Sequence, residues 1–361
     1  MFVGWNQNTV TDMLGISYPI FQAPMAGGIT TPELISETSN SGGLGNLGAG
    51  YMMPEEIKSA IKEIRELTDK PFGVNLFVPN KEITFSEEKR SEALNHLSGY
   101  KAELMLEDDI QLTDKNYHTL YEQQLEVVLS TKVPICSFTF GIPDENVIKD
   151  LKKQGTIVIG TATNVKEALE LEAAGVDMIV AQGSEAGGHR GTFHEEASGL
   201  IGSMALIPQI ADAVKLPVIA AGGIMDARGI VAAFILGAKG VQLGTAFLPC
   251  RESGAHPIYK EALLNSTEDT TTLTKAFSGK LARGINNRFI KETENSTDSI
   301  LPYPIQNDLT GAIRKQAAKL KNKEFMSLWA GQGLRLANRT SVKGLMGELT
   351  EETSQIFHSN H

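Results

Sequence analysis

Residues 217–247 read PVIAAGGIMDARGIVAAFILGAKGVQLGTAF, and the fold follows from that stretch. Two short apolar runs, Pro217 to Ala221 and Gly240 to Gly244, have the length and composition of buried parallel strands. Between them, Ala227 to Leu236 is followed by Gly237, the residue type that ends a helix in a left-handed turn. Strand, helix and strand at this spacing form a crossover unit of an α/β protein. The same rhythm extends upstream. Further strands are expected at Pro19 to Met25, near Leu44 to Leu47, and at Phe72 to Phe77, Ile135 to Phe140, Thr156 to Ile159 and Met178 to Gln182. Helices are expected at Thr31 to Ser41, whose Thr-Thr-Pro opening suits a helix start, and at Pro54 to Leu67. Others are expected around Tyr121 to Leu129 and from Asn164 to Ala174, where Asn164 is an N-cap type and Gly175 a terminator. Eight strands with helices between them fit a closed (β/α)8 TIM barrel, and a doubly wound sheet is the alternative.

Two stretches break the rhythm. Residues 80–118 are polar and charged, and residues 251–320 contain SGKLARGINNRF and LPYPIQNDLT. Connections of this length are often lids or binding loops. The expected organisation is therefore a barrel over 1–250 with a polar excursion at 80–118, then a substrate-covering region over 251–320. The last part, 321–361, is expected to hold a helix from Phe325 to Ala337 that returns to the barrel, and a frayed tail beyond Glu351.

The chain has 361 residues, is 41% hydrophobic and carries a formal charge of −10. It can bury a large core, and its charge argues against nucleic acid, which calls for clustered cations. A bound anion must then be held by backbone donors and a few local groups. The two cysteines, Cys136 and Cys250, lack metal-ligand spacing and read as buried apolar residues in a reducing compartment. With no apolar run of ~18 residues and no leader-like start, a soluble cytoplasmic protein without membrane contact is expected.

Active sites of such barrels gather at the C-terminal ends of the strands, and the unusual residues cluster there. Gly222-Gly223 follows the seventh strand and Gly244-Thr245 ends the eighth. Either pair alone is an ordinary turn. Together, on neighbouring strands, they read as a phosphate cradle of backbone N–H groups, with the following helix offering its positive end. The sixth strand runs into Gln182-Gly183-Ser184-Glu185-Ala186-Gly187-Gly188-His189-Arg190. Its glycines let the chain pass close to a flat ligand and deliver His189, whose ordinary pKa of ~6.5 suits proton transfer. Arg190 reads as a solvated or structurally paired charge. Ala23-Pro24-Met25 offers a flat wall at the end of strand one, although Met25 alone reads as core. Asn75, inside an apolar strand, needs partners; it reads a ligand edge or ties the barrel top together.

The segments PIFQAPMAGG, GLGNLGAGYM, GVNLF, SFTFGIP, AQGSEAGGHRG, AAGGI and QLGTAF, spanning about residues 19–250, together with ARGINNRF, resemble nitronate monooxygenases. The resemblance implies FMN without a metal, and oxidation of alkyl nitronates, or of nitroalkanes, with O2 to a carbonyl compound and nitrite. It implies FMN contacts at Asn75, Gln182, Gly187, Gly223 and the run Gln242, Leu243, Gly244, Thr245, with Ala23, Pro24 and Met25 beside the ring. His189 matches the family's active-site histidine, taking an α-proton or holding nitronate oxygens. Thr139 stands in the strand-four segment, where it can hydrogen-bond but cannot act as a base near neutral pH. Lys280 and Tyr303 are candidates to cover the substrate. The same scaffold also resembles flavin-dependent enoyl-acyl carrier protein reductases, for which a basic patch near Arg283 and Arg288 is the docking candidate, and NAD(P)H:quinone reductases. A flavin-binding or ligand-sensing barrel is the non-enzymatic alternative.

Overall fold

Eight short parallel strands close on themselves: β1 (Ile20–Gln22), β2 (Gly45–Gly48), β3 (Phe72–Phe77), β4 (Ile135–Thr139), β5 (Ile157–Ala162), β6 (Met178–Gln182), then, after the two-residue β7 (Gly188–His189), β8 (Val218–Ala221) and β9 (Gly240–Leu243). The computed structural model describes residues 4–359 apart from 80–83, 108–109, 111, 113–114 and 195–198. The ladder runs β1-β9-β8-β6-β5-β4-β3-β2. Phe21 and Leu44 close it as a parallel bridge, in which Gln22 N donates to Leu44 O and Leu44 N to Ile20 O, both at 2.9 Å. This closure excludes the doubly wound sheet and establishes the (β/α)8 barrel.

Most elements lie where the apolar pattern puts them, including the capped helices Pro32–Asn40, Pro54–Leu67 and Val165–Ala174. Strand β5 runs three residues beyond the expected Ile159, through Gly160-Thr161-Ala162. Those small residues hide a strand from a hydrophobicity reading. Their size has a packing reason: a Cβ on Gly160 would stand 2.3 Å from Leu171 Cδ2, so the glycine lets the neighbouring helix lie on the sheet. Phe21, Leu44, Ile135, Ile159, Met178, Val180 and Ile219 share one buried cluster with Val10 and Leu14 of the first helix, Thr9–Leu14. Each such side chain contributes roughly 1.5–3 kcal/mol.

The two irregular stretches belong together. The helix Glu87–Glu103 turns Ala93, Leu97 and Tyr100 inward, and the Tyr100 ring lies 5.1 Å from Phe289 and 5.4 Å from Phe325. Residues 251–334 thus supply most of a second apolar core that the excursion completes. An antiparallel sheet of β10 (Thr271–Thr274), β11 (Ala282–Ile285) and β7 joins this region to the barrel, with His189 opposite Ala282.

The C-terminal expectations need correction. No helix spans Phe325 to Ala337; two single turns, Lys323–Phe325 and Leu334–Leu336, flank an irregular run through Gly331 and Gly333. The long helix is Val342–Ser359 and continues well past Glu351, where a frayed tail was expected. Val342, Leu345, Met346 and Leu349 form its buried stripe, the 3–4 spacing of a helix packed on one face. Among the described residues no helix is long and apolar enough to cross a membrane.

Candidate active site

A cavity opens at the C-terminal ends of the barrel strands, lined by Ala23, Pro24, Met25, Asn75, Thr139, Gln182, Gly187, His189, Gly222, Gly223, Gln242, Gly244 and Thr245. Of the expected residues, Lys280 and Tyr303 stand behind this lining, and Leu243 is turned away from it altogether. It is 1% exposed in the layer between sheet and helices, because alternate residues of a strand face opposite ways and Gln242 takes the inward place. Leu243 is therefore core and touches no ligand through its side chain.

Gly222 and Gly223 hold φ of +107° and +74°, a conformation that costs most other residues about 1–2 kcal/mol. Gly223 N and Gly244 N have no acceptor among the described residues, whereas the parallel pairing of Ala221 with Gln242 turns the Gly222 N–H toward β9. Gly222 and Gly244 are half-buried and Gly223 is exposed, so the free N–H groups at this wall of the cavity are open to an anion such as a phosphate. The expected help from the next helix is absent: the Asp226 carboxylate caps Ala227–Ile235, accepting from the N–H groups of Arg228 and Gly229. The cradle rests on the loops alone.

Its far wall was not visible in the sequence reading. Trp329-Ala330-Gly331-Gln332-Gly333 lies across the loops after β6 and β9, with Gly331 N donating to Thr245 Oγ1 at 3.0 Å and Gln332 N to Glu185 O at 3.0 Å. A Cβ on Gly187 would lie 2.6 Å from Gly331 N, so close approach of two backbones explains that glycine. The alternating glycines at 331 and 333 were the available signal, obscured by the helix assigned there.

The two amides differ. Asn75 Nδ2 faces Ser137 Oγ at 2.9 Å and Thr139 Oγ1 at 3.1 Å, while its Oδ1 accepts no hydrogen bond among the described residues and is available to a ligand N–H. Gln182 spends both ends on the chain around β7: Nε2 donates to His189 O at 3.1 Å and Oε1 accepts from Gly191 N at 2.7 Å. It braces the histidine.

His189 stands in an aromatic enclosure, its ring 5.8 Å from Phe140, 5.6 Å from Tyr303 and 5.6 Å from Trp329. Phe140 has φ +73°, a left-handed conformation that is strained for an aromatic residue, and such strain gathers at functional sites. Burial, then the positive charges of Lys280 and Arg314, push the imidazole down to about 3. His189 is thus neutral at physiological pH, with its accessible edge facing the cavity. Nε2 lies 2.8 Å from Ser278 Oγ.

Lys280 Nζ donates to Thr192 O at 3.0 Å and sits 4.7 Å above the Phe140 ring. Arg314 is anchored by Thr310 Oγ1 and by Asn307. Tyr303 and Tyr51 complete this side. Burial pushes the Tyr51 phenol up to about 12, against the lowering effect of the neighbouring Tyr303 hydroxyl, so it stays protonated and able to donate. Of this group the sequence indicated Lys280 and Tyr303; Ser278, Arg314 and Tyr51 carry no local motif.

Arg190, Arg283 and Arg288 are structural. Arg190, 6% exposed, donates to the carbonyls of Gln182, Thr163 and Gly199. Arg283 is buried and donates to Ser184 O, and Arg288 pairs with Glu103 and Glu292. The basic patch expected at Arg283 and Arg288 is therefore not a free cationic surface.

Comparison with known proteins agrees with this arrangement. Residues 7–352 match the model of the nitronate monooxygenase family. A probable nitronate monooxygenase of Staphylococcus aureus (strain MRSA252) is 48% identical over 357 residues, covering 98% of this chain and 99% of that protein. Among solved structures, nitroalkane oxidase from Streptomyces ansochromogenes superposes with a TM-score of 0.90 at 39% identity, covering 98% of this chain and all of that one. FabK from Thermotoga maritima superposes at 0.77 with 30% identity over 98% of each chain. The barrel, the histidine at its mouth and these matches over nearly the full length lead to one assignment: the chain is an oxidoreductase belonging to the nitronate monooxygenase family.

Proposed function

We propose that this protein binds FMN and oxidises alkyl nitronates with O2 to carbonyl compounds and nitrite. The observation that carries the substrate reading is the neutral His189 beside two cations, Lys280 and Arg314. Cations placed against a neutral imidazole favour an anionic guest, and a nitronate is the anionic form of a nitroalkane. FMN, when bound, supplies the electron acceptor and the route to O2.

The protein's own residues do the rest. The free N–H groups of Gly223 and Gly244 suit the FMN phosphate, and Asn75 Oδ1 suits an N–H at the edge of a flat ring. The Tyr51 hydroxyl, in the cavity wall, offers a donor to the nitronate oxygens, and Lys280 and Arg314 add positive charge from behind that wall. The rings of Phe140, Tyr303 and Trp329 limit water around them, which strengthens each polar contact. A base whose conjugate acid lies near 3 is a poor match for taking a proton from carbon at neutral pH, where the best catalytic pKa lies close to the working pH. The pre-ionised nitronate is accordingly the preferred substrate over the neutral nitroalkane. The neutralised Arg288 and buried Arg283 give a carrier-linked reductase no docking patch at that position.

The test is anaerobic mixing of the yellow protein with an alkyl nitronate and, separately, with NADH and NADPH. Loss of flavin absorbance with nitronate alone, followed by nitrite release on admitting O2, is expected. Loss with a nicotinamide and none with nitronate overturns the reading. Chromatography of heat-released cofactor should give FMN, and stoichiometric FAD refutes that part.

A further inference from the structure

Ser278 is 1% exposed and has one proton to donate, with two acceptors in reach. Its Oγ lies 3.0 Å from Lys280 O and 2.8 Å from His189 Nε2, and it also takes the N–H of Lys280 at 3.3 Å. A carbonyl oxygen can only accept, whereas an imidazole nitrogen can accept or donate. The arrangement that satisfies both contacts has the hydroxyl donating to Lys280 O and accepting from Nε2–H. The reverse gives up the contact with the Lys280 carbonyl, whose direction is fixed because a carbonyl can only accept. The turn is well placed to hold this geometry. Gly279 follows Ser278 with φ +80°, and β11, starting at Ala282, pairs directly with His189.

From this we infer that Ser278 is a positioning residue that fixes His189 as the Nε2–H tautomer, leaving Nδ1 as the nitrogen offered to substrate. The inference rests on the proposed function for its chemistry, although not for its test. With a nitronate, Nδ1 accepts rather than donates, so the donor to the nitronate oxygens is Tyr51, in the field of Lys280 and Arg314. With a neutral nitroalkane, the α-carbon proton passes to Nδ1 and the C–H electron pair remains on the substrate as the nitronate. The imidazolium so formed keeps Nε2–H on Ser278. A neutral hydroxyl stabilises that cation far less than a carboxylate in the same place, which suits a histidine that stays uncharged next to Lys280 and Arg314.

The test is 15N NMR of the flavin-loaded protein labelled at histidine, without substrate, with the His189 signals assigned by their loss in His189→Asn. The wild type should show a protonated Nε2 and an unprotonated Nδ1. Ser278→Ala should give a mixture of tautomers, and Ser278→Thr should restore the single one. In turnover of a neutral nitroalkane, where Nδ1 takes the proton, Ser278→Ala should lose about tenfold in kcat with KM changed less, the scale of one buried hydrogen bond, while turnover of the pre-formed nitronate should change less. A protonated Nδ1 in the wild type overturns the inference, whether or not either variant folds. A tautomer unchanged in folded Ser278→Ala overturns it as well. If the nitronate reading is wrong, turnover fails while the tautomer result stands, so the two failures are distinguishable.

Discussion

Substituting Gly244 separates cofactor binding from folding more cleanly than any other glycine of the cradle. At Gly223 even an alanine meets φ +74° and stands 3.3 Å from Glu185 Cβ, so a loss of affinity there mixes strain with ligand exclusion. Gly244 has an ordinary φ of −105°, and a Cβ on it would lie 3.6 Å from Ala23 Cβ and 4.0 Å from Met25 Sδ. Those are normal contacts. Gly244→Ala should leave the apoprotein as stable as before, or up to about 1 kcal/mol more stable through the stiffer unfolded chain. The new methyl, however, enters the cavity wall beside an N–H that donates to nothing else. Displacing a phosphate oxygen from that donor forfeits one charge-assisted hydrogen bond, worth about 1.5–3 kcal/mol, or roughly a 10- to 150-fold weaker Kd. The assay is fluorescence titration of apoprotein with FMN, run beside thermal unfolding of both apoproteins. An FMN affinity within twofold of wild type in a folded variant refutes the cradle as described. A large fall in apoprotein Tm refutes the steric reasoning instead.

Further outcomes concern His189, Lys280 and Leu243. His189→Asn should reduce kcat/KM on a neutral nitroalkane by about 10²- to 10⁴-fold where the wild type uses one, and reduce it less on the pre-formed nitronate; equal losses on both would point to orientation alone. His189 also couples stability to pH. Its folded pKa of about 3 lies below the ordinary 6.5, so the unfolded chain binds the proton first and stability falls as pH drops through that window. Between pH 8 and pH 5 this costs the wild-type apoprotein about 2 kcal/mol that His189→Asn does not lose, measurable by urea unfolding at both pH values. Lys280→Met removes a cation beside the imidazole, so the His189 pKa should rise towards its ordinary value and KM for nitronate should increase about tenfold, the scale of a charge-assisted hydrogen bond; an unchanged KM places the anion elsewhere. Leu243→Ala should cost about 2–5 kcal/mol of stability with FMN affinity per folded molecule unchanged, and a selective loss of FMN would contradict its place in the core.

Much of this protein was legible one segment at a time. The barrel followed from apolar runs repeated with capped helices between them, because a parallel strand buried on both faces leaves a continuous hydrophobic trace. The glycines at 222, 223 and 244 and the histidine at 189 could be placed at the barrel's mouth because they follow the strand ends directly, and all four line the cavity there. Side-chain direction within the eighth strand was less secure: taking Gln242 to Thr245 as one run swept in Leu243, although a strand's alternation sends neighbours to opposite faces. What only the tertiary structure decided is the company His189 keeps. Ser278 and Lys280 come from a turn before β11, Tyr303 from a later loop, Arg314 from the helix Gly311–Lys319 and Trp329 from a run mistaken for a helix. None of these neighbours lies within 80 residues of the histidine in the chain. The charge state of His189 is a sum over them, of burial and of two cations acting through a poorly screening interior. Short-range patterning cannot encode that sum, because it exists only once pairing of β7 with β11 has brought the later half of the chain to the barrel's mouth.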